Sequence, residues 1–262
     1  GKSSEDVFTY SISPQFHINE DAMLYARLAT GYRPGGPNVV VPNVPPTVDA
    51  DRMKNYEVGL KADFADRMVS VDVALFWMDW TDIQVVRAFG GVSGGANGGK
   101  ATSKGVEGNI ALRPITGLTL TATGSYTDAS LSEDVPEISG VDGDRLPAVP
   151  KFSGSVRADY AFELGGGNKG SFGVGVRHAS SRLSLVESDP LAARARPYTS
   201  VDLNASLTLN DHWTVRAYAR NLLDNKGEMA RATMADGLNQ PSFLAISPLQ
   251  PRTIGVALDM AF

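Results

Sequence analysis

The feature that most constrains this chain is a two-residue period that returns along almost its whole length. In YTSVDLNASLTL, Val201, Leu203, Ala205, Leu207 and Leu209 share one parity, and Asp202, Asn204, Ser206 and Thr208 the other. KFSGSVRADYAFEL sets Phe152, Val156, Ala158, Tyr160 and Phe162 against Ser153, Ser155, Arg157, Asp159 and Glu163. LTLTATGSY sets Leu118, Leu120, Ala122 and Tyr126 against Thr119, Thr121, Thr123 and Ser125. The final residues alternate too, with Ile254, Val256, Leu258, Met260 and Phe262 on one side and Thr253, Gly255, Ala257, Asp259 and Ala261 on the other. Successive side chains of a strand point to opposite faces, so these are two-faced strands, and helical spacing is nearly absent.

Eleven strands are expected, at 5–18, 22–33, 51–64, 68–87, 102–113, 118–130, 151–163, 170–182, 198–209, 213–223 and 252–262. Connections at 19–21, 65–67, 114–117, 165–168 and 210–212 are short. Those at 34–50, 88–101, 131–150, 183–197 and 224–251 are long. Short and long alternate, which puts tight turns at one end of the sheet and large loops at the other, as in an outer-membrane barrel.

A water-soluble sandwich also alternates, with its apolar side inward. Three features favour a lipid-facing wall. The apolar parity holds small residues such as Ala122, Gly124, Ala205, Ala217 and Ala219, which would underfill a core. The opposite parity is charged at mid-strand, with Glu57, Lys61, Asp72, Glu107, Arg157, Arg177, Arg216 and Asp259. Aromatics gather at both ends of the apolar parity: Phe64, Phe162, Phe172, Trp213 and Phe262 near the short turns, and Tyr56, Trp77, Tyr126 and Phe152 toward the long loops. Two such girdles are expected at the two interfaces of a membrane.

Composition removes several classes. The net charge of −5 and scattered Lys and Arg give no footprint for nucleic acid. The absence of Cys removes thiolate metal sites, disulfides and cysteine catalysis. No metal-ligand spacing appears, no apolar run reaches the length of a spanning helix, and no cofactor is implied. A hydrolase would need an activated nucleophile, yet the three histidines are His17, His178 and His212, and no G-x-S-x-G elbow accompanies them. GGVSGGANGGK at 90–100 lacks phosphate-loop spacing and reads as a flexible external loop.

Several phrases resemble TonB-dependent outer-membrane receptors. LYARLATGYRPGGPN is similar to a strand and loop opening of that family, and NYEVGLKADFADRMVSVDVALFWMDWTDIQ to its most recognisable hairpin. ATSKGVEGNIALRPITGLTLTATGSYTDA, NLLDNK and QPRTIGVALDMAF resemble the following elements in the family's own order. The resemblance implies an all-β, transmembrane, antiparallel up-and-down barrel of about 22 strands, of which residues 1–262 would be the C-terminal half. The N-terminal half of the barrel and the plug would lie outside this sequence, on the same or a separate chain.

It further implies TonB-dependent import of a scarce nutrient, a ferric siderophore or similar small-molecule chelate, across the bacterial outer membrane. Implied partners are the TonB–ExbB–ExbD complex, reached through the N-terminal part, the lipid bilayer, and the barrel-assembly machinery. The last would read Ile254, Val256, Leu258, Met260 and Phe262 as its signal. Arg33, Asn38, Arg87, Arg182, Arg231, Asn239 and Gln240, with Arg194 and Arg196, are candidate substrate contacts in the loops and upper lumen, because guanidinium offers forked donors to anionic chelates. A passive porin and an outer-membrane hydrolase are the alternatives.

Overall fold

A computed structural model describes residues 6–40, 44–89, 92–210, 212–236 and 240–261, without the side chains of residues 87–89, 92 and 93. Among the described residues twelve strands form one antiparallel sheet. They are β1 (Ser11–Ile12), β2 (Gln15–Asn19), β3 (Ala22–Arg33), β4 (Asp51–Phe64), β5 (Val69–Thr81) and β6 (Lys100–Leu112). β7 (Leu118–Leu131), β8 (Phe152–Gly165), β9 (Asn168–Ala179), β10 (Tyr198–Leu209), β11 (Trp213–Arg220) and β12 (Thr253–Met260) follow. Each pairs with the next in sequence, except that β1 and β2 both lie along β3.

Three expected spans are corrected. The first strand is interrupted at Ser13 and Pro14, so that β1 and β2 are two pieces of one edge; proline supplies no ladder donor. The strand expected over 68–87 leaves the wall at Thr81, because Asp82 takes a left-handed conformation with φ 56°. The chain then enters a separate hairpin, Gln84–Phe89 with Val92–Asn97. The glycine-rich stretch is thus largely an ordered strand. Other long connections carry hairpins of their own: Gly36–Pro37 with Thr47–Val48, Arg182–Leu183 with Arg194–Ala195, and Glu228–Ala235 with Pro241–Pro248. The short turns are tight: Ala65, Asp66 and Arg67 are all left-handed, at φ 52°, 54° and 65°.

The two faces separate as the alternation requires. On the apolar parity Leu75, Val156, Val256 and Leu258 are 56%, 59%, 72% and 62% exposed, and Leu203 is half-buried. A soluble sandwich would have buried this parity. The buried apolar cluster lies instead among the long connections, where Ile83, Leu131, Val135 and Val186 pack with Trp80, Val85, Ile138 and Leu146.

Charges on the polar face pair with one another, across strands or two residues apart on one strand. Lys61 meets Asp72, Arg157 holds Asp159 at 2.5 and 2.7 Å and Asn204 at 3.1 Å, and Arg216 meets Asp259 at 2.5 Å. Between them run hydroxyl pairs, Thr123 with Ser155 at 2.7 Å, Ser125 with Ser153 at 2.9 Å and Ser171 with Ser206 at 2.7 Å. One cavity of about 560 Å³ on this face is lined from Tyr25 of β3 to Tyr198 of β10, so the sheet curls with its polar side concave. This is the wall of a barrel whose wet side faces its axis.

Candidate functional site

The loop-bearing end of β10 and β11 carries the densest group of candidate ligand-binding side chains. Its base is built by NLLDNK. Asn221, buried and left-handed at φ 47°, donates its N–H to Asp202 Oδ1 at 2.7 Å. Its amide donates to the carbonyls of Asn225 and Gln250 at 3.1 and 2.8 Å, and its Oδ1 accepts the Asn225 N–H at 2.8 Å. Asp224 takes the Lys226 ammonium at 2.7 Å and the Arg252 N–H at 3.1 Å, which hold its carboxyl below the ordinary range. Gly227 follows, where any Cβ would collide with that of Tyr198. The knot therefore seats the next residue, Glu228, against the wall.

Glu228 is buried and gathers arginines. Arg231 grips its carboxylate bidentately at 2.9 and 2.6 Å, while Arg196 donates its N–H at 3.0 Å and sets Nε 3.4 Å from the other oxygen. The Arg231 hydrogen bonds, more than the backbone N–H of Arg196, hold the Glu228 carboxyl below its ordinary range. Arg182 caps the backbone from the other side, donating Nε and Nη2 to the Met229 carbonyl at 3.0 and 2.5 Å and Nη2 to the Glu228 carbonyl at 2.9 Å. Its guanidinium stands 5.7 Å from the Tyr198 ring centre.

Two guanidiniums thus share one carboxylate while a third caps the adjoining carbonyls, which leaves local positive charge. Arg231 is largely enclosed, at 19% exposure, whereas Arg196 is 69% exposed with much of its fork turned to solvent. Fixed, partly free guanidinium edges of this kind suit a carboxylate or an anionic chelate.

The remaining candidates divide. Arg33 is a staple: it pairs with buried Asp51 and donates to the Gln84 carbonyl at 3.1 Å. Asn38 ties its loop to the neighbouring hairpin, bonding both polar backbone groups of Gly95 at 2.6 and 3.0 Å. Arg194 pairs with Glu187 at 2.8 Å. Gln240 is exposed, its N–H on Asp236 Oδ1 at 2.9 Å. The side chain of Arg87, and Asn239 and Phe262 altogether, lie outside the described residues. The structure therefore brings Arg182, Arg196 and Arg231 together and spends Arg33 and Asn38 on loop architecture.

Sequence reasoning missed Glu228 and Asn221, the residues that organise the cluster. The available signal was adjacency, since Glu228 follows NLLDNKG directly.

The described outward aromatics are exposed on the apolar parity. Tyr56 pairs with Trp77 and Tyr126 with Phe152 toward the loops, each 44–50% exposed. Phe64, Phe162, Phe172 and Trp213 are exposed near the turns, where Tyr160 stacks on Phe162 at 5.6 Å. His178 lies on this same parity, 5.9 Å from the Phe152 ring and with Nδ1 2.9 Å from Thr199 Oγ1. The Ser180 hydroxyl is occupied with the Phe152 N–H at 3.0 Å. Among the described residues no hydrogen bond joins His178 to Ser180.

Comparison with known proteins agrees with this architecture. The family described as "TonB dependent receptor-like, beta-barrel" matches residues 1–222. The pesticin receptor of Yersinia enterocolitica is 30% identical over 155 residues, 58% of this chain and 22% of that protein. The metal-pseudopaline receptor CntO of Pseudomonas aeruginosa is 24% identical over 218 residues, 83% of this chain and 30% of that protein. The crystal structure of the ferric yersiniabactin uptake receptor FyuA from Yersinia pestis superposes with a TM-score of 0.83 at 22% identity, over 100% of this chain and 38% of that one. The chain thus spans between about a fifth and two fifths of the length of these relatives, which are named as receptors and not as enzymes. With an exposed apolar face, a concave polar face and this match over most of its length, the chain belongs to the TonB-dependent receptor β-barrel family, whose members reside in the outer membrane.

Proposed function

We propose that this chain forms the C-terminal half of the barrel wall of a receptor that imports a ferric siderophore or a similar anionic metal chelate across the outer membrane. The carrying observation is the convergence of Arg182, Arg196 and Arg231 on Glu228, Arg196 and Arg231 at its carboxylate and Arg182 at its backbone carbonyl, above a polar concave wall. That arrangement offers positive charge at the mouth of the lumen, where an anionic chelate would be captured. Related receptors named for ferric yersiniabactin and ferric preacinetobactin support the cargo class.

In this reading a plug fills the concave face, TonB and its complex drive release, and the missing strands pair with β1–β2 and β12. The outward aromatics anchor the wall at both bilayer interfaces. Ile254, Val256, Leu258 and Met260, with Phe262, are the strand read during assembly.

The test is uptake of radioactive iron by a strain whose only receptor of this family is the full protein. Uptake should require TonB, and Arg196→Ala should raise the half-saturating chelate concentration about ten-fold, the effect of losing one charge-assisted hydrogen bond. Uptake persisting without TonB would indicate a passive pore and overturn the proposal.

A further inference from the structure

A second cavity lies among the long connections, away from the polar wall. Its volume is about 530 Å³, within the range of small-molecule pockets. Val85, Val86, Ile138, Leu185, Val186 and Leu191 supply its apolar lining. Val186 belongs to the packed loop cluster, whereas Val86 and Leu185 leave 75% and 39% of their surface in solvent. The cavity is therefore founded on a fixed core and rimmed by unsatisfied apolar surface. Glu137 and Asp189 are the charged groups in its lining, and among the described residues no Lys or Arg joins them. Such a site rejects anions and accepts an uncharged apolar group, the reverse of the arginine cluster.

The two sites share one loop. Leu185, Val186 and Leu191 occupy the span between Arg182 at one foot and Arg194–Ala195, followed by Arg196, at the other. A chelate held at the feet would have its outward part directed along the loop that lines the cavity. We infer that this cavity is a subsite for an uncharged ring or hydrocarbon arm of the cargo. The cargo is then amphipathic, with its anionic metal-binding end at Arg196 and an apolar arm among Val86, Leu185 and Leu191. This inference rests on the import reading above.

The ferric complexes of a hexadentate tris(catecholate) and of its tris(4-phenylcatecholate) counterpart are both trianions with the same coordination and differ in phenyl against hydrogen, so contributions of the arginines cancel between them. Binding of each to the full receptor in nanodiscs is measured by quenching of tryptophan fluorescence. The phenyl complex should bind about ten-fold more tightly, the scale of burying a ring. Val86→Asp and Leu185→Asp, at the exposed rim where folding is undisturbed, should each erase that preference. Arg196→Gln should leave it intact. Equal affinities, binding of neither complex, or a preference that survives both rim substitutions would overturn the subsite. Equal affinities in the unsubstituted receptor, with TonB-dependent iron uptake retained, remove the subsite alone. A preference retained where TonB-dependent uptake fails removes the import reading instead.

Discussion

The ring of Tyr25 lies across Gly59 of the neighbouring strand, and its hydroxyl donates to Glu57 Oε1 at 2.7 Å. Gly59 sits in register with Tyr25 on the concave face, and a Cβ there would enter the ring. The same device recurs where Tyr218 covers Gly255 at the other side of the sheet. In both places glycine is required by a close approach and not by a turn. Gly59→Val should displace the ring, break its bond to Glu57 and destabilise the barrel by about 1–3 kcal/mol, as overpacking does. A urea titration of the folded form, followed by its mobility on unheated gels, reads the change, and Gly31→Val, where nothing lies within 4 Å of the added carbon, is the control.

Asn221 makes a second prediction. Its side chain satisfies three backbone groups while its own backbone is left-handed. Asn221→Ala removes these bonds and places alanine at a positive φ, so a loss of about 2–4 kcal/mol is expected. Hydrogen exchange should show the hairpin Glu228–Ala235 with Pro241–Pro248 losing protection before the wall strands do. Uniform loss along β10 and β11 would contradict a local role for the knot.

The wall was legible in the sequence because one rule governs it. β3, β4 and β10 begin and end at the residues where alternation places them, since each strand divides lipid from water along its whole length. Above the wall that division ends, and the rule ends with it. Asp82 turns the chain out of β5, although Val85 and Val86 look like its continuation, because Ile83 is drawn into the cluster with Leu131 and Val186. The arginine candidates were visible as residue types. Their fates were not, since Arg33 is consumed by Asp51, 18 residues away, while Arg196 is placed by Glu228, 32 residues away. Such pairings follow from loop packing, which carries no period to read.

Glu228 predicts a pH response with a definite sign. Its carboxyl is held below its ordinary value in the folded protein, first by Arg231. The open state therefore takes up a proton more readily than the folded one, so the cluster's stabilisation is complete above the ordinary glutamate pKa. It fades only as pH falls through the lower folded value. Protection of the 228–248 hairpin against protease should thus be constant from about pH 7 to pH 5 and fall below about pH 4. Glu228→Gln should give the exposed pattern at every pH. Opening of the wild-type hairpin near pH 6 would show that another group controls it.

The sharpest test of the wall compares two positions on one strand. Leu203 sits at the middle of β10 on the apolar face, beside Val174 of β9 and Ala219 of β11. Ser206, three residues on, faces the concave side and bonds Ser171 at 2.7 Å. In hydrocarbon a mid-strand lysine on the outer face costs about 2–4 kcal/mol, while one on the wet face keeps its hydration and costs little more than the lost hydroxyl bond. Leu203→Lys should therefore lower assembly of the full receptor into the outer membrane and shift its urea midpoint strongly. Ser206→Lys should assemble nearly normally. If the two exchanged behaviours, the apolar parity would face the barrel axis, and the concave polar surface that holds the site at its mouth would lie on the wrong side of the sheet.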